Sequence, residues 1–250
     1  MDSRAFIAFG SSHWVALAVT AVAAVGLIFL ERSDASRRVK RTAEISLGIL
    51  LLVSVLADPI TNWLRYAYEP GGSTETALGI IHKNSYPFYL CDVVAIVLAV
   101  ALFKRSQRLA EVGYLWGVAG TLQGLITPTL YFDWDALEYY AFFMQHGGVP
   151  VAGLMLVFGL RLYPEKGVMV RIFIWSTSYM AIVFALNYLL NTNYGFLNGK
   201  PNVPTLFDYM GPHPWYLITL NLIAYTLYGL LLLPFIRRMR SEAGKNRELA

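Results

Sequence analysis

One histidine, one cysteine and two aspartates stand out because they lie within strongly apolar stretches of the chain. A charged side chain at the centre of a membrane helix costs roughly 2.5–3.5 kcal/mol, so such residues usually serve a function or form a buried ion pair. An acyl-transfer site needs a nucleophile, a base and a group that orients the base. Cys91 is therefore the candidate nucleophile and His146 the candidate general base, with Asp92 or Asp58 as the orienting carboxylate.

Further polar side chains lie at the same depth, near the same ends of the apolar stretches. Asp58 and Asn62 are four residues apart and therefore share one helix face. Gln123 or Asn187 could donate a hydrogen bond to an oxyanion. Amides in membrane helices also bond neighbouring helices, so a purely structural role is the alternative. The candidate substrate-binding residues are Asp58, Asn62, Gln123, Gln145, Asn187 and Asn191.

The sequence predicts neither a metal site nor a cofactor. His146, Asp58 and Asp92 could in principle ligate a metal, but they do not follow a metal-binding spacing such as HxxxH. The chain also has no Walker loop, dinucleotide fingerprint or G-x-S-x-G elbow. Two structural alternatives stay open: Cys91 as a small packing residue, and an Asp–His pair that only neutralises charge.

The composition indicates which elements must position these residues. Of the 250 residues, 56% are hydrophobic and only 14% are charged. A soluble domain of this size has about 25% charged residues, and a disordered chain or a nucleic-acid binder also needs more charge. We therefore expect a membrane protein whose partners are membrane lipids and a lipid or small-molecule substrate, and not nucleic acid.

Apolar stretches long enough for a membrane helix occur seven times. The predicted fold is a single all-α domain, residues 1–250, built as a polytopic transmembrane bundle of seven spans. The spans lie near 12–30, 44–67, 85–103, 112–131, 139–160, 171–190 and 215–236.

The distribution of Lys and Arg predicts the orientation. Sixteen of the 20 basic residues lie in the connections after spans 1, 3, 5 and 7 or in the C-terminal tail. Cytoplasmic loops carry the excess of Lys and Arg, so we expect the N-terminus outside and the C-terminus in the cytoplasm, as a multi-pass protein of the inner (plasma) membrane.

The polar residues then fall in the outer half of the bundle, and the inner half is expected to be nearly plain hydrocarbon. Residues 68–84 are predicted as an outer loop with turn signals at Pro70, Gly71 and Gly72. Residues 191–214 form a longer outer loop, which suggests a lid. Together these features predict a polar cavity that opens to the outside.

Three stretches carry a resemblance to a known family. They are YLWGVAGTLQGLITP at 114–128, QHG at 145–147, and the pattern N-x-N-Y-x-F-L-x-x-K-P…D-x-x-G-P-x-P-W-Y at 191–216. With residues 86–92 they resemble the YwaF-like integral-membrane family of bacteria. The resemblance implies a compact bundle of six to seven helices. That family is similar, more distantly, to a eukaryotic transmembrane acyltransferase that remodels phospholipids, and to membrane hydrolases of fatty-acid esters.

The family motifs can be matched to single residues of this chain. The histidine of the QHG motif matches His146, which the resemblance implies as general base. Bacterial members read Pro-Leu-His-Leu-Cys-Asp where this chain reads PFYLCD from Pro87 to Asp92. Cys91 and Asp92 are thus retained, whereas Tyr89 replaces the family histidine.

Two functional hypotheses follow. The first is an acyltransferase or ester hydrolase that acts on lipid from the outer side with His146 as base. This hypothesis predicts a thiol or hydroxyl group within hydrogen-bond distance of His146. The alternative is a transporter or receptor for an ion or small molecule in the Asp58/Asp92 pocket, which expects a polar path toward the cytoplasm.

Overall fold

The computed structural model describes residues 4–201 and 205–241, and within these residues it contains helices but no β-strand. The α-helices are α1 (Ser11–Arg32), α2 (Arg37–Tyr68), α3 (Thr74–Asn84), α4 (Leu90–Lys104), α5 (Gln107–Leu115), α6 (Leu122–Ile126), α7 (Leu137–Leu154), α8 (Val168–Leu190) and α9 (Trp215–Leu232). π-Helical segments extend α5 at Trp116–Thr121 and α7 at Met155–Gly159.

Five helices in the described part of the chain are long and apolar enough to cross a membrane. They are α1, α2, α8, α7 with its π-helical extension, and α9 with the helical turns that follow it. Many of their large apolar side chains point outward, as Val22, Phe29 and Leu189 do. The protein is therefore a multi-pass membrane protein, as the composition predicts.

The stretches predicted as the third and fourth spans differ from plain membrane helices. The helix of the third stretch, α4, begins only at Leu90 and has 15 residues. The fourth stretch is interrupted by the π-helical segment, and α6 ends at Ile126. Pro128 explains that end, because proline disfavours helical backbone in the residue before it.

The predicted outer loop at 68–84 is wrong in its second half, which forms α3. The turn occupies only residues 69–73. Ser73 then caps the helix, because its hydroxyl accepts a hydrogen bond from the backbone N–H of Thr76 at 3.1 Å. Glu75 in the first turn and Lys83 in the last turn complement the helix dipole.

The core of the bundle forms around α4. Leu98, Ala99 and Leu102 on this helix have no exposed surface. Helices α2, α5 and α7 all pack against α4. Glycine also lets α7 approach α5 closely, because a Cβ at Gly153 would lie 3.2 Å from the backbone of Tyr114. Helix α4 is thus enclosed by α2, α5 and α7, and its first turn lies at the candidate site.

At the opposite end of the bundle, basic residues and the connections α1–α2, α4–α5 and α7–α8 come together. Tyr163 marks this end: its hydroxyl accepts a hydrogen bond from Arg32 at 3.1 Å, and the guanidinium of Arg238 lies 5.0 Å from its ring centre. We call this the basic end.

The expectation of a nearly plain hydrocarbon inner half is wrong at the basic end, where two carboxylates are buried. Glu44 is fully buried and accepts hydrogen bonds from Arg41 at 2.7 Å and Arg105 at 2.8 Å. Glu111 is 1% exposed and accepts from Arg171 at 2.8 Å. A buried carboxylate requires such partners, so each one fixes basic side chains of neighbouring segments.

Candidate functional site

The first turn of α4 carries two of the predicted site residues, Cys91 and Asp92. Asp92 is 8% exposed, and its Oδ1 accepts a hydrogen bond of 2.7 Å from the side-chain amide of Gln145 on α7. Cys91 is partly exposed and has a free thiol. The structure therefore brings the Cys-Asp pair of α4 against the Gln-His pair of α7.

His146 is held in a defined orientation on α7. Its Nδ1 lies 3.0 Å from the carbonyl oxygen of Phe142, and its ring stacks on the Phe142 ring with centres 4.0 Å apart and planes 14° apart. A carbonyl can only accept, so Nδ1 carries the hydrogen and donates it. In the neutral imidazole this leaves Nε2 with a free lone pair, which is the form that a general base requires.

Two glycines provide the space around the QHG turn. A Cβ at Gly124 of α6 would lie 2.5 Å from Cδ2 and 3.0 Å from Nε2 of His146. A Cβ at Gly147 would lie 2.6 Å from the hydroxyl oxygen of Thr20 on α1. The imidazole therefore occupies room that exists only because position 124 has no side chain.

The structure does not join the predicted nucleophile, base and carboxylate directly. Consecutive helical residues point about 100° apart, so Gln145 faces α4 while His146 faces α6. The partner of Asp92 is thus Gln145, and His146 forms its hydrogen bond with the Phe142 carbonyl. All four residues nevertheless lie on α4 or α7, and α7 packs against both α4 and α6. We call this region the junction of α4, α6 and α7.

A second polar group, next to the first, combines Asp58 and Asn62 of α2 with Ser85. The amide of Asn62 donates to Asp58 at 3.2 Å and to the hydroxyl of Ser85 at 2.9 Å. Asp58 is exposed and lies within electrostatic range of Asp92. Ser85 was not predicted, although its position just before the Pro87–Asp92 motif is a signal that could have indicated it.

The two carboxylates have no basic partner in the part of the chain that the structure describes. Among residues 4–201 and 205–241, neither Asp58 nor Asp92 forms an ion pair with Lys, Arg or His. Arg65, one turn beyond Asn62, instead pairs with Glu138 and Glu69. The part of the chain that the structure describes also contains no group of three or more His, Cys, Asp or Glu that could hold a metal ion.

The remaining predicted substrate-binding residues are Asn187 and Asn191 at the end of α8 and Gln123 on α6. Asn187 is 1% exposed, and its side chain bonds the backbone N–H and carbonyl of Tyr194 and the hydroxyl of Thr192. Asn191 is exposed and ends α8 in a left-handed conformation with φ 53°. Gln123 is exposed on α6.

The loop after α8 covers the turn that leads into α4. The hydroxyl of Tyr194 donates to the carbonyl of His82 at 2.8 Å, and its ring centre lies 5.1 Å from that of Tyr89. Burial raises the pKa of Tyr194 to about 12, so its hydroxyl stays protonated and keeps donating. Residues 202–204 of the predicted 191–214 lid lie outside the described residues.

Comparison with known proteins gives one match. The model of the TMEM164 family matches residues 8–232. No curated protein and no solved structure matches the chain.

Proposed function

The chain belongs to the TMEM164 family, and we propose that it is a membrane enzyme that transfers or hydrolyses the acyl chain of a lipid with His146 as general base. The observation that carries this proposal is the hydrogen bond from Nδ1 of His146 to the Phe142 carbonyl. It leaves Nε2 as an acceptor in a site that membrane helices surround.

Cys91 is the nucleophile in this proposal. Nε2 of His146 takes the thiol proton, and the sulfur attacks the carbonyl carbon of the lipid ester. An S–C bond forms, the ester C–O bond breaks, and the lipid alkoxide leaves with the proton from His146. Water or a second lipid hydroxyl then attacks the thioester and releases the acyl chain from Cys91.

The proton transfer requires Nε2 and the thiol sulfur to approach within hydrogen-bond distance. The imidazole faces Gly124 in the structure, so Cys91 must approach Nε2 when substrate binds while Nδ1 keeps its hydrogen bond to the Phe142 carbonyl. Asp92 then acts as a positioning residue. Asp92 follows Cys91 in the chain, and Gln145 precedes His146. The hydrogen bond from Gln145 to Asp92 therefore holds the two helices that carry Cys91 and His146 against each other.

The proposal includes the topology. In this topology α4 and the interrupted α5–α6 segment also cross the membrane, which gives seven crossings together with the five long helices. The segment from the start of α5 to the end of α6 has 20 residues, about 30 Å of helix. The basic end lies in the cytoplasm of the plasma membrane by the positive-inside rule. The junction of α4, α6 and α7 then faces the outer leaflet, which would supply the lipid substrate.

The experiment is untargeted lipid analysis of membranes from cells that express the wild type, His146→Ala or Cys91→Ala at equal levels. We expect the wild type to change the acyl composition of at least one lipid class, and both variants to leave it as in cells without the protein. Equal profiles in all samples would contradict the proposal.

A second candidate function is a receptor or transporter for a cationic small molecule. It rests on the exposed carboxylate of Asp58, which lies in electrostatic range of Asp92 without a basic partner in the described residues. Its test is the thermal stability of purified protein with choline. A rise in Tm that Asp58→Asn abolishes would favour this function, and no rise would exclude choline as its ligand.

A further inference from the structure

A groove of about 330 Å³ lies at the basic end, between the start of α8 and the helical turns after α9. Its walls are mostly apolar, and two basic residues stand among them. The lining includes Lys166, Val168, Val170, Leu232, Ile236 and Arg240.

The two basic residues of this groove differ from the arginines at the same end that pair with buried carboxylates. Arg41 and Arg105 are bound to Glu44, and Arg171 is bound to Glu111. Lys166 and Arg240 are exposed, and neither pairs with a carboxylate within the described part of the chain. The groove therefore presents two positive charges that the described protein leaves unneutralised.

Position and lining define the ligand chemistry. Residues at the ends of membrane helices lie at the level of the lipid headgroups, and the apolar wall continues along α8 and α9 toward the hydrocarbon. A ligand that fits both the basic residues and the apolar wall needs an anionic group beside Lys166 and Arg240 and a hydrocarbon chain beside Val170 and Ile236. Basic pockets of this kind at helix ends attract anionic lipids.

We infer that this groove is a binding site for one anionic phospholipid of the leaflet at the basic end. The phosphate lies between Lys166 and Arg240, and an acyl chain follows the apolar wall. The site is separate from the junction of α4, α6 and α7 and does not depend on the proposed catalytic chemistry. It would anchor α9 and α8 to each other through the lipid.

The test is a titration of the purified full chain in phosphatidylcholine nanodiscs with labelled phosphatidylglycerol. The test variant is Lys166→Gln/Arg240→Gln. The matched control, Arg38→Gln/Lys104→Gln, removes two exposed charges that do not line the groove. Each basic residue near an anionic lipid contributes to the binding free energy, and the loss of two such residues raises the dissociation constant about thirty-fold. We expect that loss in the test variant and less than a three-fold change in the control, consistent with screening of exposed charges that are not in contact with the ligand.

Two further measurements keep the result interpretable. The variant Lys166→Arg/Arg240→Lys keeps both charges and should bind as the wild type does, which separates loss of charge from misfolding. Soluble glycerol phosphate should not compete at concentrations where phosphatidylglycerol saturates the site. Equal loss in the test and control variants would overturn the inference, and so would full competition by glycerol phosphate, which would identify a phosphate site and not a lipid site.

Discussion

Gln145 of α7 donates a 2.7 Å hydrogen bond to the buried carboxylate of Asp92 on α4. This contact is a direct hydrogen-bonded link between the two helices that carry His146 and Cys91. Because an amide satisfies the carboxylate, the histidine next to it is free to face α6 and to bond the Phe142 carbonyl.

We predict that Gln145→Ala destabilises the protein by about 1–3 kcal/mol, because the buried carboxylate of Asp92 loses its hydrogen-bond donor. Asp92→Asn should cost less, since an asparagine can keep one hydrogen bond to Gln145. The measurement is the denaturation midpoint of each purified variant in detergent. A Gln145→Ala variant as stable as the wild type would show that this contact does not hold α4 against α7.

Gly124→Ala should reduce lipid conversion at least ten-fold, because the added Cβ would lie 2.5 Å from Cδ2 of His146 and displace the imidazole. The activity measured is the change in acyl composition described above. Gly229→Ala on α9 is the matched control, since a Cβ there meets nothing within 4 Å. Its activity should equal that of the wild type, and equal activity of both variants would place the base elsewhere.

Asn187→Ala should release the loop that covers the turn before α4. The side chain of Asn187 makes three hydrogen bonds to Thr192 and Tyr194, and a buried hydrogen-bonded group of this kind contributes about 1–3 kcal/mol. We expect faster amide hydrogen exchange and faster proteolysis in residues 192–199. Asn191→Gly is the control, because glycine adopts the left-handed conformation of that position without strain. Equal exchange in the two variants would show that the Asn187 side chain does not hold this loop in place.

Glu44→Gln should destabilise the basic end by about 1.5–3 kcal/mol, the range for hydrogen bonds to charged groups, because Arg41 and Arg105 lose a fully buried charged acceptor. The guanidinium groups of Arg41 and Arg105 are partly exposed, so water can replace part of the lost hydrogen bonding, and the loss of stability stays within this range. Glu69→Gln removes an exposed partner of Arg65 and should cost about 0–1 kcal/mol. Similar denaturation midpoints for both variants would contradict this difference.

The apolar stretches of the sequence indicated where the long helices lie, although α2 begins seven residues before its predicted span of 44–67. Helices α1 and α8 begin and end within three residues of the predicted spans, because a membrane helix is determined by length and apolar content. Helix α3 was not predicted, because the turn signals at Pro70–Gly72 led to a loop prediction for all of residues 68–84. Ser73 and Glu75 are nevertheless ordinary signals of a helix start.

The polar residues were predicted as a set, but their partners were not. Periodicity places Gln145 and His146 on one helix without giving the rotation of that helix in the bundle. That rotation depends on the close approach of Gly124 and Gly147 to side chains of other helices. Glu44 and Glu111 were missed for a related reason, since burial at a helix end depends on which arginines reach it from other segments.

The proposed chemistry is tested most directly by intact-protein mass spectrometry after the purified protein is mixed with a phospholipid of defined acyl chains. We predict a mass increase of one acyl chain that maps to Cys91, disappears with hydroxylamine, and is absent from Cys91→Ala and His146→Ala. Absence of any adduct in the wild type, together with unchanged lipid conversion by Cys91→Ala, would contradict it.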